Sequence, residues 1–148
     1  MKEKTLRDYF DNKVTVDILA TDLKDSQKKT SYDVITVYVD KINETGEYEI
    51  TRDHLIKLCD DTINGLLTTT DLNTIAFALI ASDYFTWNQD DETADGKIIN
   101  NTIDDWDNPD IGFPLTMENL GLWRKYLETG EYTLDFRQLK RRELKRAK

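Results

Sequence analysis

Apolar positions are densest between residues 71 and 86, where they recur at helical spacing on two neighbouring stripes. The first stripe contains Leu72, Ile75, Ala76 and Leu79, and the second contains Phe77, Ile80, Ala81, Tyr84 and Phe85. A helix that is apolar on most of its sides is typically buried, since a single neighbour covers only one face. We therefore predict a central buried helix over 71–86, capped at its start by Asp71.

Weaker amphipathic patterns on either side predict further helices. The apolar spacing over residues 5–10 indicates a short helix near the N-terminus. Thr51 and Thr116 each precede a polar first turn and an apolar face, so both are predicted helix N-caps. Gly65 and Gly130 follow the two helices that begin there, and Gly130 is predicted to close its helix in the left-handed conformation.

Two stretches fit more than one secondary structure. Residues 14–19 are compatible with either a helix or a short strand. Residues 32–44 begin with β-branched side chains that favour a strand, yet their apolar positions also fit one helical face. The pentapeptide Glu-Thr-Gly-Glu-Tyr occurs at 44–48 and again at 128–132, where it ends a predicted helix. The repeat favours a helix over 32–44, with Gly46 as its C-terminal cap.

Together these patterns predict a mainly α fold, a single-domain bundle of about five or six helices around the central helix. Minor β structure is expected only near 14–19 or 32–40. The helical domain is expected to span residues 1–139 and to carry an acidic segment at 83–110, followed by a basic tail at 140–148.

The composition is consistent with one folded domain and excludes several kinds of site. The chain has 148 residues, of which 39% are hydrophobic, enough to bury a sizeable core. Cys59 is the only cysteine and His54 the only histidine, which excludes an intrachain disulfide and a thiolate or multi-histidine metal site. The longest fully apolar run, Ile75–Ala81, is too short to span a bilayer, and the N-terminus has no apolar signal core. A cytoplasmic protein without membrane contact is therefore expected.

Charge is distributed unevenly along the chain. The formal net charge is -9, but residues 137–148 contain seven basic side chains and one acid. Residues 83–110 contain nine acids and one base, Lys97, and so hold most of the excess negative charge. Because an acidic body repels phosphates, contact with nucleic acid or with an anionic membrane is disfavoured.

The carboxylates of the acidic segment match no ion-binding or catalytic pattern. An EF-hand loop needs oxygen ligands at fixed positions, and the registers that begin at Asp91 and Asp105 both fail. The neighbouring acids Asp90–Asp91 and Asp104–Asp105 point apart, because adjacent side chains lie on different faces of the backbone. We therefore expect no metal, no cofactor and no enzymatic activity. An unrecognised hydrolase that uses acids around Asp83 and Asp104 is a minor alternative.

Two tryptophans lie among these acids, and the combination suggests a surface for a basic protein. Exposed carboxylates speed the encounter with a cationic partner, and aromatic rings contribute hot-spot area. The predicted partner-binding residues are Asp83, Trp87, Asp90, Asp91, Glu92, Asp95, Asp104, Asp105, Trp106, Asp107 and Asp110. The competing interpretation is a solvated loop that only keeps the protein soluble.

A resemblance to a known class of proteins extends over residues 78–124. It is carried by the run Ala78–Trp87, by Asn108–Thr116 after an acidic gap, by Glu118-Asn-Leu and by Trp123-Arg124. These features resemble the small acidic immunity proteins of polymorphic and contact-dependent bacterial toxin systems. The resemblance implies a cytoplasmic inhibitor that binds a cognate toxin, often a basic nuclease, and blocks its active site. It implies no shared catalytic residues.

A second class of function is also compatible with the sequence. Trp123 and Phe113 are candidates for an apolar face through which the chain associates with itself or with another helical protein. Such a protein would be a structural or regulatory subunit. The sequence leaves the oligomeric state and the identity of any partner open.

Overall fold

The computed structural model describes residues 1–24, 26–31, 34–43, 48–87 and 93–134. The helices in these parts of the chain are α1 (Glu3–Phe10), α2 (Val16–Leu23), α3 (Arg52–Ile63), α4 (Thr69–Ala81), α5 (Ala94–Asp107) and α6 (Met117–Thr129). The strands are β1 (Gln27–Ser31), β2 (Val34–Val37), β3 (Tyr48–Glu49) and β4 (Phe85–Thr86). The mainly α fold is confirmed for the described residues. None of the helices found there is both long and apolar enough to cross a membrane.

The strands in the described residues form two small two-stranded sheets. β1 and β2 pair in antiparallel fashion, with Gln27 opposite Val37. β3 and β4 pair in parallel, with Tyr48 opposite Phe85. The second pairing ties the chain before α3 to the chain after α4.

The helix favoured for residues 32–44 is wrong, because β2 occupies part of that stretch. The sequence of this stretch is rich in β-branched residue types, which favour an extended backbone, and β1 pairs alongside it. Gly46 lies outside the described residues, so its capping role stays a prediction. The stretch left open at 14–19 runs into helix α2, which begins at Val16.

Helix α4 is the predicted central helix, but it starts earlier and ends earlier than the predicted range 71–86. Its N-cap is Thr68 and not Asp71. The Asp71 N–H donates to Thr68 Oγ1, and the Thr68 N–H donates to Asp71 Oδ2, both at 3.0 Å. This reciprocal capping box satisfies two free backbone donors at once, which explains why the helix begins there.

Ser82 ends helix α4 by adopting an extended backbone. Its Oγ accepts the backbone N–H groups of Tyr84 and Phe85, each at 3.0 Å. The side chain therefore replaces the helical acceptors and turns the chain into β4. Tyr84 and Phe85 are buried, as the apolar pattern predicts, but they reach the core from outside the helix.

The two apolar stripes of α4 differ in burial. The first stripe faces the core, and its members Leu72, Ile75, Ala76 and Leu79 are all exposed by 1% or less. In the second stripe, Phe77 is 40% exposed and Ile80 is 43% exposed. The prediction that α4 is buried on most sides is therefore wrong for one face of the helix.

Tryptophans from α5 and α6 fill the core next to α4. Trp106 and Trp123 are both 0% exposed, and their rings meet edge to face with centroids 6.4 Å apart. α4 packs against α5, and α3 packs against both α5 and α6. The two indoles thus join the helices of the C-terminal half of the domain.

The other predicted helix ends are confirmed. Thr51 caps α3 and Thr116 caps α6, each by accepting a backbone N–H on its hydroxyl oxygen. Gly130 closes α6 with φ +81°, a left-handed conformation that costs glycine nothing. Gly65 follows the end of α3 with φ +79°.

His54 takes part in the cap of α3. Its Nδ1 accepts the Thr51 N–H at 3.0 Å, while its own backbone N–H donates to Thr51 Oγ1 at 3.4 Å. Because Nδ1 is an acceptor, the ring proton of the neutral side chain lies on Nε2, which is 3.4 Å from Tyr48 Oη. Burial lowers the pKa of His54.

We expect acid to weaken this cap, because a protonated Nδ1 cannot accept from Thr51. The unfolded chain takes up the proton more readily, so the contribution of His54 is complete above its ordinary pKa of 6.5 and is lost as the pH falls through the lowered folded pKa. His54→Gln should remove this dependence, since Gln at that position keeps the acceptor without titrating. The measurement is the free energy of unfolding in urea between about pH 8 and pH 5. Equal pH slopes for both proteins would contradict the prediction.

Candidate protein-binding face

The predicted partner-binding residues do not form a single surface. Asp95 lies in the first turn of α5 and Asp107 in the last, so they are about 20 Å apart along the helix axis. Asp83 is exposed in the bend that follows α4, and Asp110 is exposed in the turn that follows α5. The part of the chain that the structure describes does not include Asp90, Asp91 and Glu92.

Trp106 is a core residue, and its assignment to a partner-binding surface is wrong. Its side chain is 0% exposed. Trp106 follows Ile99 and Ile103 at helical spacing on the buried face of α5, which carries the indole inward. Its sequence neighbours are acids, but each step along a helix rotates the side chain by about 100°, so neighbours do not share an environment.

Asp105 holds α5 and α6 together instead of facing a partner. Its Oδ2 accepts from Trp123 Nε1 at 3.0 Å and from Tyr132 Oη at 2.6 Å. Burial raises the pKa of Asp105, and the two hydrogen bonds partly oppose that rise. The carboxylate is therefore a structural acceptor that links α5 to α6 and to the chain beyond it.

Asp95 is matched by a cation of the same chain. A cavity of about 370 Å³ opens between the first turns of α3 and α5, and both Asp95 and Arg52 line it. Arg52 Nη1 contacts Asp95 Oδ1 at 3.0 Å, while Arg52 Nε donates to the carbonyl oxygen of Leu127. This end of α5 thus combines a favourable acid in the first turn with an internal ion pair.

Asp104 and Asp107 have no such compensation at the other end of α5. Both lie in the last turn, where the helix dipole is negative and a carboxylate is unfavourable. No Lys or Arg among the described residues forms an ion pair with either. Burial raises the pKa of both carboxyls, and the charge of Asp104 raises that of Asp107 further. The two acids therefore concentrate negative charge at a position that costs stability.

Helix α4 places apolar side chains next to this charge. Asn73 Nδ2 donates to the carbonyl oxygens of Trp106 at 2.9 Å and of Asp107 at 3.4 Å. These bonds fix the start of α4 beside the end of α5. Phe77 and Ile80 lie four and seven residues after Asn73 and so share its side of α4.

The polar side of α5 that faces away from α6 carries Asn100, Asp104 and Asp107. Asn101 lies on the flank toward α6, because its Nδ2 donates to Tyr126 Oη at 3.0 Å. Asp105 shares that flank through its bonds to α6 and the chain beyond it. Asn100 and Asp104 precede these residues by one position each, which rotates them by about 100° away from the α6 flank. We call the surface formed by Phe77, Ile80, Asn100, Asp104 and Asp107 the α4/α5 face.

Trp87 borders the α4/α5 face. Its Nε1 donates to Asn100 Oδ1 at 3.2 Å, and its ring is partly buried. Asn100 in turn donates from Nδ2 to Asp104 Oδ2 at 3.4 Å. Of the two tryptophans predicted for a binding surface, Trp87 alone reaches it.

Phe77 and Ile80 are the residues of this face that the sequence analysis missed. Their apolar character placed them in a buried stripe. Their side of the helix also carries Thr70 and Asn73, whereas the buried stripe from Leu72 to Leu79 is purely apolar. Polar residues on the same helical face are the signal that distinguishes a partly exposed stripe from a buried one.

The other predicted chemistries concern different parts of the fold. Trp123 and Phe113 are 0% and 4% exposed, so their assignment to an apolar docking face is wrong. Cys59 is buried, which raises the pKa of its thiol. Within the described ranges, no three His, Cys, Asp or Glu side chains are grouped so that they could hold a metal ion.

The two ends of α5 should respond oppositely to neutralisation. Asp107→Asn removes a carboxylate from the unfavourable end and should raise the free energy of unfolding by about 0.3–1 kcal/mol at neutral pH. Asp95→Asn, the matched control, should lower it, since Asp95 faces the positive end and contacts Arg52. The gain from Asp107→Asn should vanish in acid, because the wild-type carboxyl becomes neutral as the pH falls through its raised pKa. Urea unfolding at several pH values measures the free energy of unfolding of both variants. A change of the same sign for Asp107→Asn and Asp95→Asn would contradict the prediction.

Comparison with known proteins returns no relative for this chain. No protein-family model, no curated protein and no solved structure matches it. The function of the α4/α5 face is therefore argued from its own geometry and charge.

Proposed function

We propose that this chain is a non-enzymatic inhibitor that binds a basic protein through the α4/α5 face. The partner that fits best is a cognate bacterial toxin, so the chain would act as a cytoplasmic immunity protein. The resemblance over residues 78–124 suggests that the partner is a toxin. The acidic and apolar side chains of the α4/α5 face suggest that it binds a basic surface.

The observation that carries the proposal is the position of Asp104 and Asp107. A carboxylate in the last turn of a helix opposes the dipole, and two of them repel each other. Features that lower the stability of the fold without a structural role are typical of functional surfaces. A cationic partner would offset the lost stability, because it neutralises both charges on binding.

A toxin that acts on nucleic acid fits this surface well. Such an enzyme gathers Lys and Arg around its substrate-binding cleft to hold phosphates. Carboxylates at the α4/α5 face would form ion pairs with those Lys and Arg side chains in place of phosphates, and the bound inhibitor would block the cleft. Complementary charge also speeds association, which matters for an inhibitor that must bind before the toxin acts.

The alternative function is a structural or regulatory subunit that associates with itself or with a helical partner. The partly exposed side chains of Phe77 and Ile80 favour it, since exposed apolar groups on one helix face suit helix packing. The charges of Asp104 and Asp107 oppose self-association, because two copies of the same face would bring like charges together. A hydrolase remains the minor alternative, with acids around Asp83 and Asp104.

The test is reversal of the two surface charges in Asp104→Lys/Asp107→Lys. Asp105 is left unchanged because it holds Trp123 and Tyr132. The proposed function predicts a cognate toxin domain encoded beside the gene for this chain. Association with that domain should slow by about tenfold or more at low salt, and the difference should shrink as salt screens the charges. Stopped-flow or surface-based kinetics measure the rate.

The matched control for this test is Asp40→Lys/Glu49→Lys. It makes the same change in net charge at two other exposed positions. The control should leave the association rate nearly unchanged, because the rate depends on charge near the contact. A toxin that binds the Asp104→Lys/Asp107→Lys protein as fast as the wild type would show that the α4/α5 face is not the interface.

A further inference from the structure

The α4/α5 face contains two parallel rows of different chemistry. Phe77 and Ile80 form an apolar row on α4, and Asp104 and Asp107 form an acidic row on α5. The members of each row are three residues apart, so each row advances by about 4.5 Å along its helix. The axes of packed helices lie about 8–10 Å apart, which sets the distance between the rows.

The contact of Asn73 with α5 aligns the two rows. Asn73 lies at the level of Asp107, because its amide bonds the carbonyl oxygens of the last two residues of α5. Four residues further along α4 is Phe77, and three residues back along α5 is Asp104. The two steps cover about 6 Å and about 4.5 Å, so Phe77 lies near the level of Asp104. The apolar and acidic rows therefore run side by side.

A partner segment must offer apolar and cationic groups on adjacent sides to satisfy both rows. The side chains that an extended strand directs at a surface lie in one line, so a strand laid along the rows would cover only one of them. An amphipathic helix carries an apolar stripe at i, i+3, i+4 and i+7 and places its polar residues directly beside that stripe. The spacing of three residues within each row matches the spacing of groups on such a helix.

We infer that the α4/α5 face binds a basic amphipathic helix of its partner. The apolar stripe of that helix would cover Phe77 and Ile80, and its Lys or Arg side chains would lie over Asp104 and Asp107. Charge complementarity selects this occupant over a second copy of the chain, whose own face is acidic. This inference rests on the proposed function and specifies the element that the partner contributes.

The test uses two synthetic peptides of leucine and lysine with identical composition. In one peptide the leucines follow helical spacing, and in the other leucine and lysine alternate as in a strand. Binding to the whole protein is followed by isothermal titration calorimetry and by NMR shifts of the amides of α4 and α5. The helical peptide should bind and shift the amides near Phe77 and Asp104, and the alternating peptide should bind at least about tenfold more weakly.

Variants of the two rows separate the apolar and the ionic contributions. Each of the double variants Phe77→Ala/Ile80→Ala and Asp104→Asn/Asp107→Asn should weaken binding of the helical peptide by about tenfold. Ile18→Ala/Leu66→Ala, the control, removes apolar side chains of similar exposure elsewhere and should leave binding unchanged. Thermal unfolding of each variant verifies that the fold is kept, as expected for side chains that are already partly exposed.

Three results would overturn the inference. Equal binding of both peptides would show a purely ionic surface without helix recognition. No effect of Phe77→Ala/Ile80→Ala would show that the apolar row is not in contact. A wild-type dimer in sedimentation that this variant dissociates would show that a second copy covers the face. If toxin binding depends on Asp104 and Asp107 but not on Phe77 and Ile80, the proposed function stands and the helix inference alone fails.

Discussion

The rotation of α5 about its own axis is the constraint on which the surface of this protein depends. The buried ring of Trp106 against Trp123 sets that rotation from the apolar side. The hydrogen bonds of Asp105 to Trp123 and Tyr132 set it from the polar side. With both contacts made, Asp104 and the last residue of α5 lie on the side of α5 that faces away from α6.

The same contacts explain why the helix tolerates charge at its unfavourable end. Burial of one large apolar side chain stabilises the fold by about 1.5–3 kcal/mol, whereas a misplaced surface carboxylate costs about 0.3–1 kcal/mol. Burial of the whole apolar face of α5, formed by Ile98, Ile99, Ile103 and Trp106, therefore outweighs the cost of Asp104 and Asp107. Stability permits the two acids but does not account for them. The cationic partner proposed above would account for them, and the partly exposed apolar residues of α4 narrow the kind of partner that fits.

Several features were determined by the sequence alone because their causes are local. The caps at Thr51 and Thr116 and the left-handed end at Gly130 involve only neighbours within about one helical turn. The stripe from Leu72 to Leu79 predicts the core side of the central helix, because burial there needs only an apolar face of the right period. The sequence pattern predicts Asp71 as the cap of α4, whereas the cap is Thr68. Both residue types suit the position, and only the geometry of the capping box distinguishes them.

Pairing and packing with other segments decided the remaining features. Residues 34–37 form a strand because the neighbouring strand β1 pairs with them, and the apolar pattern of residues 32–44 does not by itself reveal that pairing. Trp106 lies within an acidic stretch of the sequence but is not part of the acidic surface. Packing against α6 sets the rotation of α5 about its axis and turns this side chain inward. Phe77 and Ile80 remain partly exposed because nothing in the described chain packs over that side of α4 fully. The sequence thus supplied the acids and the apolar residues, and the packing of α4 on α5 brought them onto one face.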